Sequence, residues 1–251
     1  MKAGFIARCG LLLCVAFLIS LRINADAIGP DLHDKFTQEL ELEAIKVPAY
    51  NGMKALVSKR YDLAIKLFNA ALERRPKGTF AAALYYVRGD AYLGKGEREK
   101  ARQDYQRAVN FSPKNFLDYY IRGSAYQKKG NYAAALSDLA KAVELSPKSA
   151  GALNSLSWLK ATCPQRSLRD GAGAVRAAIK ACELTRWRDW SLIDTLAAAH
   201  AEAGNFEQAV KYEEQAMNMS TSADDRKGTK ERLAAYRQRK PWREEAKLTA
   251  H

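Results

Sequence analysis

Residues 82–149 repeat themselves. Written as AALYYVRGDAYLGKGEREKARQDYQRAVNFSPKN (82–115) above FLDYYIRGSAYQKKGNYAAALSDLAKAVELSPKS (116–149), two lines of 34 residues align without a gap. Tyrosines, Arg-Gly, Ala-Tyr, a Gly, a later Ala pair and Ser-Pro-Lys fall in register. A fixed period of this length constrains the fold more than composition does. Each unit is too small to hide its apolar face alone, so successive units must stack.

Each line holds two helical runs. Tyr85, Val87, Gly89, Ala91 and Tyr92 lie on the first, and the Gly94/Gly96 break follows. Ala101, Tyr105, Ala108 and Val109 share one face of the second by their spacing of three and four. Pro113 stops the chain. Tyr119, Gly123, Tyr126, Gly130, Ala135, Leu139, Ala142 and Pro147 match in the second line. Small residues at Gly89, Gly123, Ala101 and Ala135 let the two helices approach, while bulky ones fill the space between hairpins.

This pattern resembles the tetratricopeptide repeat, a helix–turn–helix with small, aromatic and proline residues at set positions. The resemblance implies an all-α fold, a right-handed superhelical solenoid of stacked antiparallel helix hairpins. Arg88 and Arg122 depart from it, standing where Leu is common. Asp104 and Asp138 follow sixteen residues later. Ion pairs Arg88–Asp104 and Arg122–Asp138 between the helices of a hairpin are expected, because a buried charge needs a partner. Ligand binding by these arginines is the alternative.

The repeat pattern extends in weaker form on both sides. Residues 45–78 form a degenerate repeat with Gly52, Ala64, Phe68, Ala71 and Pro76. Residues 28–44 read as a lead-in segment able to form a short amphipathic helix. Residues 150–189 form a lengthened hairpin, with Cys163-Pro164 ending its first helix and Asp170 capping its second. Its segments LKATCP, RDGAGAV and KACELT resemble a variant repeat unit of bacterial proteins. Residues 190–223 return to the common pattern. Residues 224–240 read as a capping helix with a wet outer face. Residues 241–251 are a tail, with Trp242 placed to fold back onto the cap.

The N-terminus reads differently. Lys2 and Arg8 precede an apolar run from Cys9 to Leu21, and Ala25-Asp26-Ala27 fits a small-x-small cleavage site. Residues 1–27 therefore read as a signal peptide cut after Ala27, and the protein as exported, periplasmic or secreted. A retained anchor is the alternative. Cleavage removes three basic residues and one acidic residue, lowering the formal charge from +13 to +11.

Cys163 and Cys182 then remain. An oxidising compartment favours a disulfide between them, closing a loop of about twenty residues and adding about 3 kcal/mol. Two buried free thiols are the alternative. His33, His200 and His251 are far apart, and His200 takes the place of Tyr92 and Tyr126, so no metal site is expected. Gly94-x-Gly96 lies in a helix–helix turn, without the strand a dinucleotide site needs. No cofactor and no catalytic constellation are read in the sequence.

The resemblance implies a concave groove lined by each first helix. Its groove residues are Tyr86, Asp90, Leu93, Tyr120, Ser124, Gln127, Lys128 and Asn154, with Trp158 and Asp194 in the later units. The Lys and Asn of the two-carboxylate clamp used by some relatives are replaced by Ala49 and Met53. A non-catalytic scaffold of the cell envelope binding a protein or peptide partner is the leading reading. The alternatives are a basic envelope-surface protein meeting anionic lipid or polymer, and a nucleic-acid binder. Nucleic acid is not the expected partner, because the basic residues are scattered and an export signal is present.

Overall fold

The computed structural model describes residues 32–245, with side chains from Leu42 onward. The expected signal peptide, the start of the lead-in segment and the tail beyond residue 245 lie outside the described residues. Among these, the chain is all-helical and holds no strand. No described helix is long and apolar enough to cross a membrane. The chain divides into two compact units, one ending at Ser112 and the other beginning at Pro113.

The first unit contains α1 (Leu32–Val57), α2 (Tyr61–Glu73), α3 (Gly78–Lys95) and α4 (Arg98–Val109). Consecutive helices pack as hairpins, and α1 also touches α3. A small residue makes each hairpin close. A Cβ at Gly52 would sit 2.6 Å from the Phe68 ring, and one at Gly89 would sit 2.7 Å from Tyr105. Phe68 and Tyr105 are wholly buried. The lead-in segment and the first repeat helix, expected as separate pieces, are continuous in α1, with Pro48 inside it. Pro48 removes one intrahelical donor, and packing on α2 and α3 holds the later turns.

The second unit contains α5 (Phe116–Lys128), α6 (Tyr132–Leu145), α7 (Ala150–Thr162), α8 (Gly171–Leu184), α9 (Trp190–Glu202), α10 (Phe206–Met219) and α11 (Ala223–Arg237). A short 3-10 turn, Arg166–Leu168, lies in the lengthened α7–α8 connection. The first helices of successive hairpins touch, α5 with α7 and α7 with α9. Two cores fill the stack. One gathers Trp158, Ala174, Ala197 and Tyr236; the other gathers Leu153, Ala178, Ile193 and Leu196.

One turn recurs after the first helix of a hairpin. Gly96, Gly130 and Gly204 each take a left-handed φ, at 90°, 80° and 81°. The following N–H in each case reaches back to the helix, as Glu97 does to the Tyr92 carbonyl, 2.9 Å away. Glycine suits this place because it carries no Cβ. Lys59 takes the same turn after α1 at φ 57°, and Arg239 does so after α11.

Candidate protein-binding surface

The residues expected to line a groove fall into two sets. Tyr86, Tyr120, Ser124 and Asn154 are buried, while Asp90, Leu93, Gln127 and Lys128 are half-buried. Hairpin packing takes the first set. The Tyr86 ring lies against Tyr105, with centroids 5.9 Å apart, and the Tyr105 hydroxyl donates to Asp90 at 2.7 Å. Burial beside that carboxylate drives the Tyr105 hydroxyl well above its ordinary pKa. Ser124 donates back to the Tyr120 carbonyl, and Ser155 reaches the Tyr120 hydroxyl. Tyr86 and Tyr120 therefore fill space within the hairpin stack and do not form an exposed platform. The reach of side chains toward solvent on these helices lies further along, at Leu93, Gln127 and Lys128.

The structure brings both arginine–aspartate pairs together. Arg88 donates through Nε and Nη2 to the two oxygens of Asp104, each at 2.7 Å. Arg122 makes the same fork on Asp138, at 2.7 and 2.8 Å. Sequence reasoning did not foresee the aromatic flanks. Arg88 lies over Tyr85 and Tyr92, and Arg122 over Tyr119 and Tyr126, all within 5.8 Å of the ring centres. The tyrosines precede each arginine by three and follow it by four, which places them on one helix face. Arg88 also donates to Asn69 on α2, tying the first two hairpins together.

Cys163 and Cys182 are buried free thiols, and the expected disulfide is not formed. Register explains this. Lys160 pairs with Asp170, and Ser157 donates to the Ala174 carbonyl, so α7 and α8 run antiparallel from the short turn. Cys163 ends α7 beside the start of α8, whereas Cys182 is in the last turn of α8. At a rise of about 1.5 Å per residue the two lie roughly 15–20 Å apart along the hairpin, far beyond the reach of a bridge. Burial raises the pKa of both thiols, that of Cys182 to about 12.

The second unit also holds a buried charge cluster that spans three helices. Arg232 of α11 donates to Asp194 of α9 at 2.6 Å and to Glu213 of α10 at 3.2 Å. Both carboxyl groups are wholly buried. Asp194 Oδ2 and Glu213 Oε2 accept no hydrogen bond from a protein donor. Burial, and then the nearby Asp194 charge, push the Glu213 carboxyl well above the usual range. Arg232 is the cation that both buried carboxyl groups face, and a dry interior tolerates such groups only beside a partner of opposite charge. Asp194 was expected in a groove; α11 closes over it. The available signal was positional: Asp194 and Glu213 hold the same separation as Tyr86 and Tyr105.

His200 stacks on Tyr212 with ring centres 5.4 Å apart, and burial lowers its pKa, keeping it neutral. Among the described residues no cluster of three or more His, Cys, Asp or Glu could hold a metal ion.

These observations define a class, an all-α protein of stacked helical hairpins. Within it, a family model described as TPR repeat matches residues 89–130, and one described as tetratricopeptide repeat matches residues 116–149. Residues 89–149 of the chain thus carry tetratricopeptide repeats. The fold is similar to that of a thermophilic TPR protein from Thermus thermophilus, at 21% identity and TM-score 0.57, covering 78% of this chain and 100% of the other. It is also similar to a chain of the APC/C hetero-tetramer Cut9–Hcn1, at 17% identity and TM-score 0.57, over 93% of this chain and 41% of the other. No curated protein matches the sequence. Repeats of this family generally serve as scaffolds for protein or peptide partners.

Proposed function

We propose that this protein is a non-catalytic scaffold of the cell envelope, exported by its N-terminal segment, that binds a protein or peptide along its first helices. One observation carries this reading. In the second unit α5, α7 and α9 touch in succession, so their side chains form one continuous surface. Gln127 and Lys128 on α5 reach it half-buried, as does Glu202 on α9, which is held by Arg169 and Arg243. Such a mixed polar surface suits an extended or helical peptide. Photocrosslinkers placed at Leu93, Gln127 and Lys128 in cells test it. Capture of one stoichiometric protein that persists in high salt supports the scaffold. Crosslinks spread over many unrelated proteins would discard it. Export is tested separately by fractionation and by the N-terminus of the mature chain.

A second reading rests on the exposed Arg226, Lys227, Lys230, Arg237, Arg239 and Lys240 of α11 and its following turn. This basic end would contact anionic lipid or polymer, and salt would abolish that contact.

A further inference from the structure

The last described helix ends like a first helix, yet no second helix begins within the described residues. After α11 the chain makes the recurring left-handed turn at Arg239, with the Lys240 N–H reaching back to the Ala235 carbonyl. Pro241 comes next. Instead of a helix, residues 241–245 run without regular structure back across the ends of α9 and α7.

Three successive side chains of this segment each meet a fitted partner. The Trp242 ring lies by the guanidinium of Arg232, 6.0 Å from its centre, and Trp158 lies by the same guanidinium at 5.9 Å. Trp242 also packs on the core around Trp158 and Tyr236. Arg243 forms an ion pair with Glu202 and donates to the Ala161 carbonyl at 3.3 Å. Glu202 is oriented by Arg169, which donates to its other oxygen at 2.9 Å. Glu244 accepts from the indole Nε1 of Trp158 at 2.9 Å, and its N–H donates to the Thr162 carbonyl at 3.0 Å. The Ala161 and Thr162 carbonyls belong to the last turn of α7, whose final carbonyls have no partner within the helix and whose dipole favours a cation.

We infer that the ends of α7 and α9, with Arg232, form a binding site for an extended peptide that presents an aromatic, a basic and an acidic residue in succession, and that Trp242-Arg243-Glu244 is its intramolecular occupant. A partner segment of that chemistry must displace the tail, so the tail sets a threshold for binding. Tethering makes the tail a strong competitor, because its effective concentration is on the order of millimolar. The three tail residues are only half-buried, as expected of a segment that can leave. The inference rests on the scaffold reading for its biological use but not for the existence of the site.

The test uses the chain ending at Lys240 and a fluorescent peptide of residues 240–247 as probe, followed by anisotropy. The shortened chain should keep its helical circular dichroism and bind the probe one to one. The full chain should bind it about tenfold or more weakly. A probe with Trp242→Ala should lose about tenfold or more, as truncating an anchor does. Equal binding to both chains, or no binding to a folded shortened chain, overturns the inference. If the shortened chain does not fold, a full chain with a protease site between Lys240 and Pro241 is cut after folding. Release of the tail with helicity retained, and probe uptake, supports the site; loss of helicity makes the tail an integral part of the core and overturns it. Exchange of tails between two copies would show as a dimer that the Trp242→Ala chain lacks, and would overturn the intramolecular assignment. A crosslinking screen without a partner would leave probe binding untouched, so the two readings fail separately.

Discussion

The two units start their helices by different means. In the first, Arg60, Lys77 and Glu97 precede α2, α3 and α4, and none makes a side-chain cap hydrogen bond. In the second, every helix is capped: by Asn115, Asn131, Ser149, Asp170, Asp189, Asn205 and Ser222 for α5 to α11. Asn115 does so reciprocally, since Asp118 accepts from its backbone N–H. Each cap satisfies an amide that the helix leaves open, worth about 1 kcal/mol. The units also differ inside. Where the α3–α4 hairpin packs Tyr86 on Tyr105, the α9–α10 hairpin places Asp194 and Glu213 and borrows Arg232 from α11. Both units carry a forked arginine–aspartate pair, and the first adds the Tyr86–Tyr105 ring contact. The second is held by caps and a buried charge cluster linking three helices. Repeats of one family need not be stabilised alike, and the second unit should be the last to open.

The largest test breaks the second unit's cluster. Arg232→Leu leaves Asp194 and Glu213 buried without their cation and should cost about 3–5 kcal/mol in urea unfolding. A loss under about 1 kcal/mol would remove the cluster from the comparison. The cluster also has a pH signature. Glu213 binds its proton more tightly folded than unfolded, where a value near 4.5 applies. The stability this adds is complete below that value and falls as the pH rises toward the folded one. Thermal melts of the unaltered chain should therefore lose stability as the pH rises above 4.5, and Glu213→Gln should flatten that decline.

Next comes the first unit's ion pair. Arg88→Leu or Asp104→Leu alone should cost about 2–4 kcal/mol, and the double change less than either, because no charge is left alone. Equal damage from the double and each single change would discard the pair as a unit.

The caps give smaller effects of opposite sign. Asn115→Ala should lose about 1 kcal/mol, while Lys77→Asp, which supplies a missing cap, should gain about 0.5–1 kcal/mol and slow hydrogen exchange in α3. If the gain does not appear, capping does not explain the difference between units. Smallest is Lys59→Gly, expected to add about 0.5 kcal/mol by relieving a left-handed residue.

Much of the fold was legible because it obeys a local period. The hairpins, their turn glycines and the close approach of Gly89 to Tyr105 follow from spacings within one unit. So do Arg88–Asp104 and Arg122–Asp138, since sixteen residues carry the chain around one turn to the facing helix. The candidate surface was less legible. Tyr86 and Tyr120 occupy positions that can face outward, and only the packing of neighbours shows them buried. The cysteines mislead for a related reason: a loop of suitable length says nothing about register, and α7 and α8 place them at opposite ends.

The sequence by itself determined that the chain is a series of helical hairpins, where each turns, and which charges pair across a hairpin. Those are short-range consequences of helix periodicity and of glycine and proline at fixed places. Only the tertiary structure decided that Asp194, Glu213 and Arg232 meet in a dry interior, and that beyond the expected return of Trp242 to α11, Arg243 and Glu244 reach Glu202, Trp158 and Thr162. Such partners belong to different helices with no fixed spacing between them. Their meeting depends on how whole hairpins stack, which no local period encodes.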